Sequence, residues 1–270
     1  MNLGIPLNVD KYIKSIESSF LVKNEENSNR NFYNQLNFFI GRLKGRLTYW
    51  FAPIWCWIFQ NDIFYCQLTA RKNGGLSAPY QWVRLWELDR IIRYYKLSNI
   101  LEFGSGASSI LFAKRMGAKK SFVSVEESEY WAERTKNIAG KYKDMMQLEI
   151  ADRMLVFDGT EDCTKYNLPD TFYDKYWDAV YIDGPTARVL PEDKISHIKD
   201  KKGFMPNIDI EKLIDNGVPP RIIIIDGRRP TVRRLALKYN SLYEVFLRSY
   251  YKSSTQKNNE FLYHSILIRK

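Results

Sequence analysis

The chain has 270 residues, 45% hydrophobic and 15% aromatic, enough for one sizeable α/β core with an extension and too apolar for a globally disordered chain. Its 41 Lys and Arg against 31 Asp and Glu give a net charge of +10, which favours anionic partners (nucleic acid, a lipid surface, phosphorylated substrates) without choosing among them. Three cysteines (Cys56, Cys66, Cys163) without a C-x-x-C pair, and only His197 and His264 beside them, argue against a disulfide framework or a Cys/His zinc site; residues 1–30 are too polar for a cleavable signal peptide, so a reducing cytoplasm is expected.

Two regions meet at the turn-rich "RKNGGLSAP", Arg71 to Pro79. Residues 1–78 form an N-terminal extension, polar and helical at first, then basic and aromatic. From Leu47 to Asn61 there are 15 uncharged residues, including Trp50, Trp55 and Trp57. That is short of the ~20 needed to span a bilayer, and Pro53 interrupts it. Because Arg42, Lys44 and Arg46 precede the run, residues 42–66 suit an anionic membrane interface. The competing reading is an apolar cover packed on the rest of the chain or on a second subunit.

Residues 79–270 alternate between strand and helix patterns. Pro79 suits a first helical turn, and "QWVRLWELDRIIRYY" puts Trp82, Leu85, Trp86, Ile92 and Tyr95 on one stripe. "NILEF" reads as strand one, and "SSILFAKRM" as a helix closed by Gly117. Strand two is "SFVSVE", followed by a helix closed by Gly140, and strand three is "MMQLEI". An irregular stretch leads to strand four, "DAVYID"; then come a long connection with the helix "IDIEKLID", strand five "RIIIID" and the helix "TVRRLALKY". "YEVFLRS" and "FLYHSILIRK" close the chain as an antiparallel hairpin. Continuous apolar strands predict a mostly parallel sheet with helices on both faces.

In such sheets ligands bind at the carboxyl ends of the strands. "LEFGSGASS" places Gly104 and Gly106 there, with Ser105 between them and Glu102 just before. Bare backbone admits a close ligand. The third glycine of the dinucleotide fingerprint is replaced by Ser109, and no Gly-Lys-Ser/Thr of a phosphate loop follows. Glu126 ends strand two, 22 residues beyond Gly104, where a carboxylate can accept both hydroxyls of a ribose. Its neighbour Glu127 suits the start of the next helix.

"LEFGSGASS", "VSVEES", "DAVYIDGP" and "IIIIDG", in this order, resemble the class I S-adenosylmethionine-dependent methyltransferases over about residues 79–270. The resemblance implies a Rossmann-like methyltransferase fold, a seven-stranded, mostly parallel sheet ending in an antiparallel strand. It implies S-adenosylmethionine as cofactor, with Gly104, Ser105 and Gly106 beneath it, Glu102 and Asp183 toward its methionine end, Glu126 on its ribose and Asp152 near the adenine amine. Gln81 and Trp82 lie on a helix that flanks the cofactor in the family, although Trp82 suits the core.

Asp183 and Asp226 end strands four and five and face one cleft in the family's strand order. One of them could serve as general base on an acceptor hydroxyl. A divalent cation held by the pair is the alternative. Metal-dependent catechol-type members carry an Asn after the second acid, and Gly227 stands there instead. Arg228 and Arg229 offer guanidinium forks to a carboxylate or phosphate on an acceptor, while Arg233 and Arg234 are expected on a solvated helix face. His197 lies in the connection that forms part of the acceptor pocket in the family; an exposed loop histidine is the plainer reading. His264 is expected to be structural.

The expected activity is methyl transfer from S-adenosylmethionine to an oxygen nucleophile, with a sugar hydroxyl on a glycan or glycolipid precursor as the preferred acceptor at the inner membrane face. The net charge keeps an RNA or other nucleic-acid methyltransferase open, and a non-catalytic methyltransferase-like binding protein is the third reading. The sequence leaves the oligomeric state open.

Overall fold

The computed structural model describes residues 79–117, 121–190, 204–246 and 264–270, together with the single position Ile54. Helix α1 (Pro79–Tyr94) opens on proline, whose missing N–H is harmless in a first turn, and buries Leu85, Leu88, Ile91 and Ile92. Strand β1 (Asn99–Phe103) leads into helix α2 (Ala107–Met116), which stops at Gly117 with φ +56°, a left-handed conformation that glycine adopts without strain. Strand β2 (Ser121–Glu126) is followed by helix α3 (Glu129–Ala139), capped by the Ser128 hydroxyl accepting from Trp131 N, and by β3 (Gln147–Ile150).

The stretch expected to be irregular instead holds an antiparallel pair, β4 (Arg153–Phe157) and β5 (Asp162–Tyr166), and one short 3-10 turn at Asp170–Asp174. The hairpin reverses at Asp158–Gly159, where Gly159 has φ +97° and the Asp158 carboxylate accepts from Thr160 and Glu161 N–H groups. Strand β6 (Ala179–Ile182), helix α4 (Asp209–Asp215), strand β7 (Ile222–Ile225), helix α5 (Arg229–Lys238) and strands β8 (Tyr243–Phe246) and β9 (Ser265–Arg269) follow. Helix α5 starts two residues before Thr231, the expected start, because Pro230 fits inside its first turn.

Seven strands form one sheet in the order β3-β2-β1-β6-β7-β9-β8. The pairs from β3 to β7 are parallel; β9 is antiparallel to both β7 and β8. Winding reverses between β1 and β6, so the carboxyl ends of these strands flank the switch point, where open α/β sheets bind ligands.

Side chains alternate between two cores, one on each face. Ile222 and Ile224 pack with α1 and α2; Ile223 and Ile225 pack with Trp177, α4 and α5. Burial on both faces explains the uninterrupted Ile222–Ile225 run, each side chain contributing roughly 1.5–3 kcal/mol. Among the described residues no helix is long and apolar enough to cross a membrane.

Candidate active site

The turn after β1 is shaped by two glycines with different jobs. Gly104 has φ +92°, and a Cβ there would lie 2.5 Å from Gly184 N and 2.8 Å from Asp183 C. Gly184 N–H and Asp183 N–H both donate to Phe103 O, at 2.6 and 2.8 Å, so the loop after β6 is laced to the end of β1. Gly184 is equally confined, since its Cβ would meet the Tyr166 hydroxyl and the Gly104 backbone. Gly106 is the opposite case: its backbone is extended and, among the described residues, nothing lies within 4 Å of its would-be Cβ.

Glu102 lies beneath this turn. It is fully buried and accepts hydrogen bonds from Ser108 Oγ (2.5 Å), Ser109 Oγ (2.5 Å) and Ser124 Oγ (2.7 Å). Burial pushes its carboxyl up to about 8, although the three hydroxyls pull the other way. Ser109, at the position of the missing third glycine, has a second contact: its hydroxyl accepts from Gly106 N at 2.9 Å. Glu102 therefore sets the turn and the start of α2 from below.

Glu126 ends β2 with both oxygens engaged. Oε2 accepts from Ser105 N (2.8 Å) and Ser105 Oγ (2.9 Å); Oε1 accepts from Glu127 N (2.9 Å) and Ser128 N (3.1 Å). Ser105 Oγ also has Thr135 Oγ1 at 3.2 Å. Glu127 instead turns to the loop after β6, where Oε1 accepts from Thr186 N (3.0 Å) and from the Thr186 hydroxyl. Arg153 reinforces that bridge by donating to Thr186 O (3.4 Å) and Arg188 O (3.0 Å). Asp152 is exposed just beyond β3, and its carbonyl accepts from Asn167 N at 2.8 Å.

The two acids at the ends of β6 and β7 differ sharply. Asp226 is 4% exposed, ion-paired with Arg84 of α1, and accepts from the Tyr181 hydroxyl at 3.2 Å. Asp183 is reached by solvent yet hemmed in by protein on its other sides. That enclosure raises its carboxyl above the ordinary range, against the pull of Arg228, Arg84 and His264. His264, one residue before β9, is fully buried, with Nδ1 at 3.6 Å from Glu87 Oε2 and its ring edge-on to Tyr181. Among the described residues no three His, Cys, Asp or Glu side chains gather as a metal site. Arg84 and Tyr181 already occupy Asp226, which limits what it could offer a cation.

Arg228 and Arg234 depart from expectation. Arg228 donates to the carbonyls of Asp183 and Pro185, holding the loop after β6 rather than reaching outward. Arg229 is half-buried at the first position of α5, and Arg233 is exposed. Arg234 is not on a solvated face: its guanidinium pairs with Glu211 of α4 and with Asp158 and Glu161 of the hairpin turn. The hairpin meets α5 at the Arg234 side chain, which draws those acids to it. His197, residues 42–66 and the rest of the extension apart from Ile54 lie outside the described residues, as do the side chains of Gln81 and Trp82.

Sequence reasoning missed Arg84, Tyr181, Thr186 and Tyr166. None carries a local signal, because each is defined by a partner on another element, well separated from it in the chain.

No protein-family model matches the sequence, and no curated protein does. Solved structures similar to it include the O-methyltransferase TomG from Streptomyces achromogenes, involved in tomaymycin synthesis and in complex with S-adenosylmethionine (12% identity, 77% of this chain and 88% of that one, TM-score 0.45). Others are an O-methyltransferase from Bacillus cereus in complex with S-adenosylhomocysteine (16%, 78% and 90%, TM-score 0.43) and a methyltransferase from Geobacter sulfurreducens (12%, 76% and 86%, TM-score 0.42). The chain has the Rossmann-like methyltransferase fold. Its own sheet decides this: a parallel core reversing between β1 and β6, and an antiparallel β9 inserted between β7 and β8.

Proposed function

We propose that the chain binds S-adenosylmethionine across the carboxyl ends of β1 and β2 and transfers its methyl group to an oxygen nucleophile. The observation that carries this reading is Gly106. Gly104 is required by its own φ and by the neighbouring Gly184 backbone, but among the described residues nothing requires Gly106 to lack a side chain. Bare backbone facing open space, at the switch point, is what a ligand lying on the turn would need.

The donor set fits this cofactor. Glu126 can accept ribose hydroxyls if Ser105 Oγ turns to Thr135 Oγ1, already 3.2 Å away. Asp152, exposed beyond β3, is carried forward as the adenine contact. When bound, S-adenosylmethionine supplies an electrophilic methyl on its sulfonium. The chain's part is to align the acceptor, exclude water and take a proton. Asp183 is the base in this reading, because it follows β6 at the switch point and is open to solvent, where an acceptor hydroxyl can reach it. Asp226 is the positioning acid, held by Arg84 and Tyr181.

A hydroxyl-rich acceptor such as a sugar on a glycan precursor suits a site edged by Asp183, the Arg84–Asp226 pair and Tyr181, with Arg229 as its contact for an anionic group. The membrane role of residues 42–66 rests on their sequence alone. Calorimetry with S-adenosylmethionine, and transfer of its radiolabelled methyl to a panel of glycan acceptors, test the proposal. Asp183→Asn should keep cofactor affinity within a few fold and lose at least ~100-fold in transfer. Absence of cofactor binding by the folded parent would refute the reading.

A further inference from the structure

The edge of the sheet opposite the candidate active site carries a feature that methyl transfer does not use. The starts of β1, β3, β6 and β7 and the end of β9 all lie on this edge. It is drawn together by specific contacts: Arg221 donates to Tyr95 O (3.1 Å), Arg269 N to Arg221 O (2.9 Å), Asn99 Nδ2 to Tyr176 O (2.6 Å), and Lys175 Nζ reaches Ser121 Oγ (3.5 Å). Lys96, Lys141, Lys143, Lys175, Arg221 and Arg269 are exposed along it. The acids interspersed with them are Asp144, Asp174, Asp178 and Glu244; Asp178 is engaged by the Ser98 and Asn99 N–H groups and Asp174 accepts from Asn216.

Cations are expected after helix ends, and Lys96 and Lys141 are explained that way. Lys175 caps the 3-10 turn at Asp170–Asp174, Arg221 answers the carbonyl end of α1 at Tyr95 O, and Arg269 donates to Pro219 O, so these cations brace the edge while their exposed charge, with that of Lys143, makes its surface net positive. Between the cations stand Tyr94 (55% exposed), Tyr176 (41%) and Met145 (43%). Several cations lie along aromatic rings: Lys175 over Trp177 at 4.4 Å, Lys141 over Tyr142 at 5.3 Å and Arg221 over Tyr95 at 5.5 Å. At ~4.8 Å per strand, seven strands extend this edge over roughly 30 Å.

We propose that this edge is a docking surface for an anionic lipid bilayer. Lysine and arginine heads meet the headgroup charge while exposed tyrosines and Met145 seat at the headgroup level, the arrangement that amphipathic rings and long basic side chains adopt at membrane interfaces. A broad, shallow edge with apolar side chains among its lysines matches a plane better than a nucleic-acid groove, which is read by guanidinium forks and stacked bases. Docking there leaves the carboxyl ends of β1 and β6 open on the far side.

Flotation of the full chain with phosphatidylcholine vesicles, with and without phosphatidylserine, tests the assignment. The parent should float only with the anionic vesicles. Lys141→Glu/Lys143→Glu/Lys175→Glu should lose about 5-fold in partitioning for each charge removed, with circular dichroism and melting temperature unchanged. Arg42→Glu/Lys44→Glu/Arg46→Glu in the N-terminal extension should keep most of the binding. The proposal is overturned if the parent ignores lipid charge, if only the extension variant loses binding, or if poly(U) RNA competes the protein off the vesicles and shows the same loss in the lysine variant.

Discussion

Substituting alanine at Gly104 and at Gly106 separates a glycine kept for the fold from one kept for a ligand. At Gly104 the new side chain must live at φ +92°, which costs about 1–3 kcal/mol. Its Cβ must also displace backbone, since Gly184 N lies 2.5 Å away and cannot swing aside as a flexible side chain would; overpacking of this kind costs a further ~1–3 kcal/mol. Against a total stability of ~5–15 kcal/mol, that is a large fraction. At Gly106 the backbone is extended and no atom of the described residues lies within 4 Å of the added Cβ, so the change should stay within about 0.5 kcal/mol. Binding should respond in the opposite order of selectivity. A methyl group on the surface where the cofactor rests should weaken S-adenosylmethionine by at least ~10-fold, about 1.4 kcal/mol. Urea unfolding and titration calorimetry on both variants give the two numbers directly. Gly106→Ala with parental affinity would show that no ligand lies on the turn, and Gly104→Ala with parental stability would show that the packing of Gly104 on Gly184 is not the constraint described.

Further outcomes follow from the same geometry. Glu102, ordinarily near 4.5, stays protonated in the folded chain up to about 8 and Asp209 up to about 6, while the unfolded chain releases both protons earlier. Their stabilisation is therefore full below the ordinary carboxylate values and is lost as pH rises, with a slope approaching ~1.4 kcal/mol per pH unit for each group. Urea midpoints measured from pH 4 to 9 should fall for the parent, and Glu102→Gln should flatten the portion between about pH 6 and 8; an unchanged slope would remove Glu102 as its source. Arg234→Met should cost about 1–3 kcal/mol by leaving Glu211 and Asp158 without their shared cation, read as a lower melting temperature with parental cofactor affinity. Asp226→Asn should destabilise by a similar ~1–3 kcal/mol because Arg84 loses its counter-ion, whereas Asp183→Asn should not destabilise; equal melting temperatures for these two variants would contradict the different roles given to the two acids.

Where a residue's role depends on its chain neighbours, the sequence was readable. Gly117 and Gly140 end helices and the Glu102-Phe103-Gly104 transition marks the end of a strand, all from local conformational preference. The hairpin β4–β5 was missed although Asp158–Gly159 is a turn signal, because what commits it to strand is the burial of Cys163, Thr164 and Tyr166 against distant elements. The arginines near α5 show the limit most clearly. Arg228 looked outward-facing and Arg234 solvated; packing makes the first a brace for the loop after β6 and the second the centre of an ionic cluster.

By itself, then, the chain's pattern of apolar runs and glycines determined the strands of the main sheet and the helices between them, and marked the turn on which a ligand is proposed to lie, since these follow from periodicity and local backbone preference. Only the tertiary structure decided which carboxylates are open and which are engaged. Glu102, Glu126 and Asp226 look alike in one dimension as acids at strand ends. Burial beneath three serines, occupation by Ser105 and pairing with Arg84 distinguish them, because the partners that set a side chain's charge and reach come from strands and helices far along the chain.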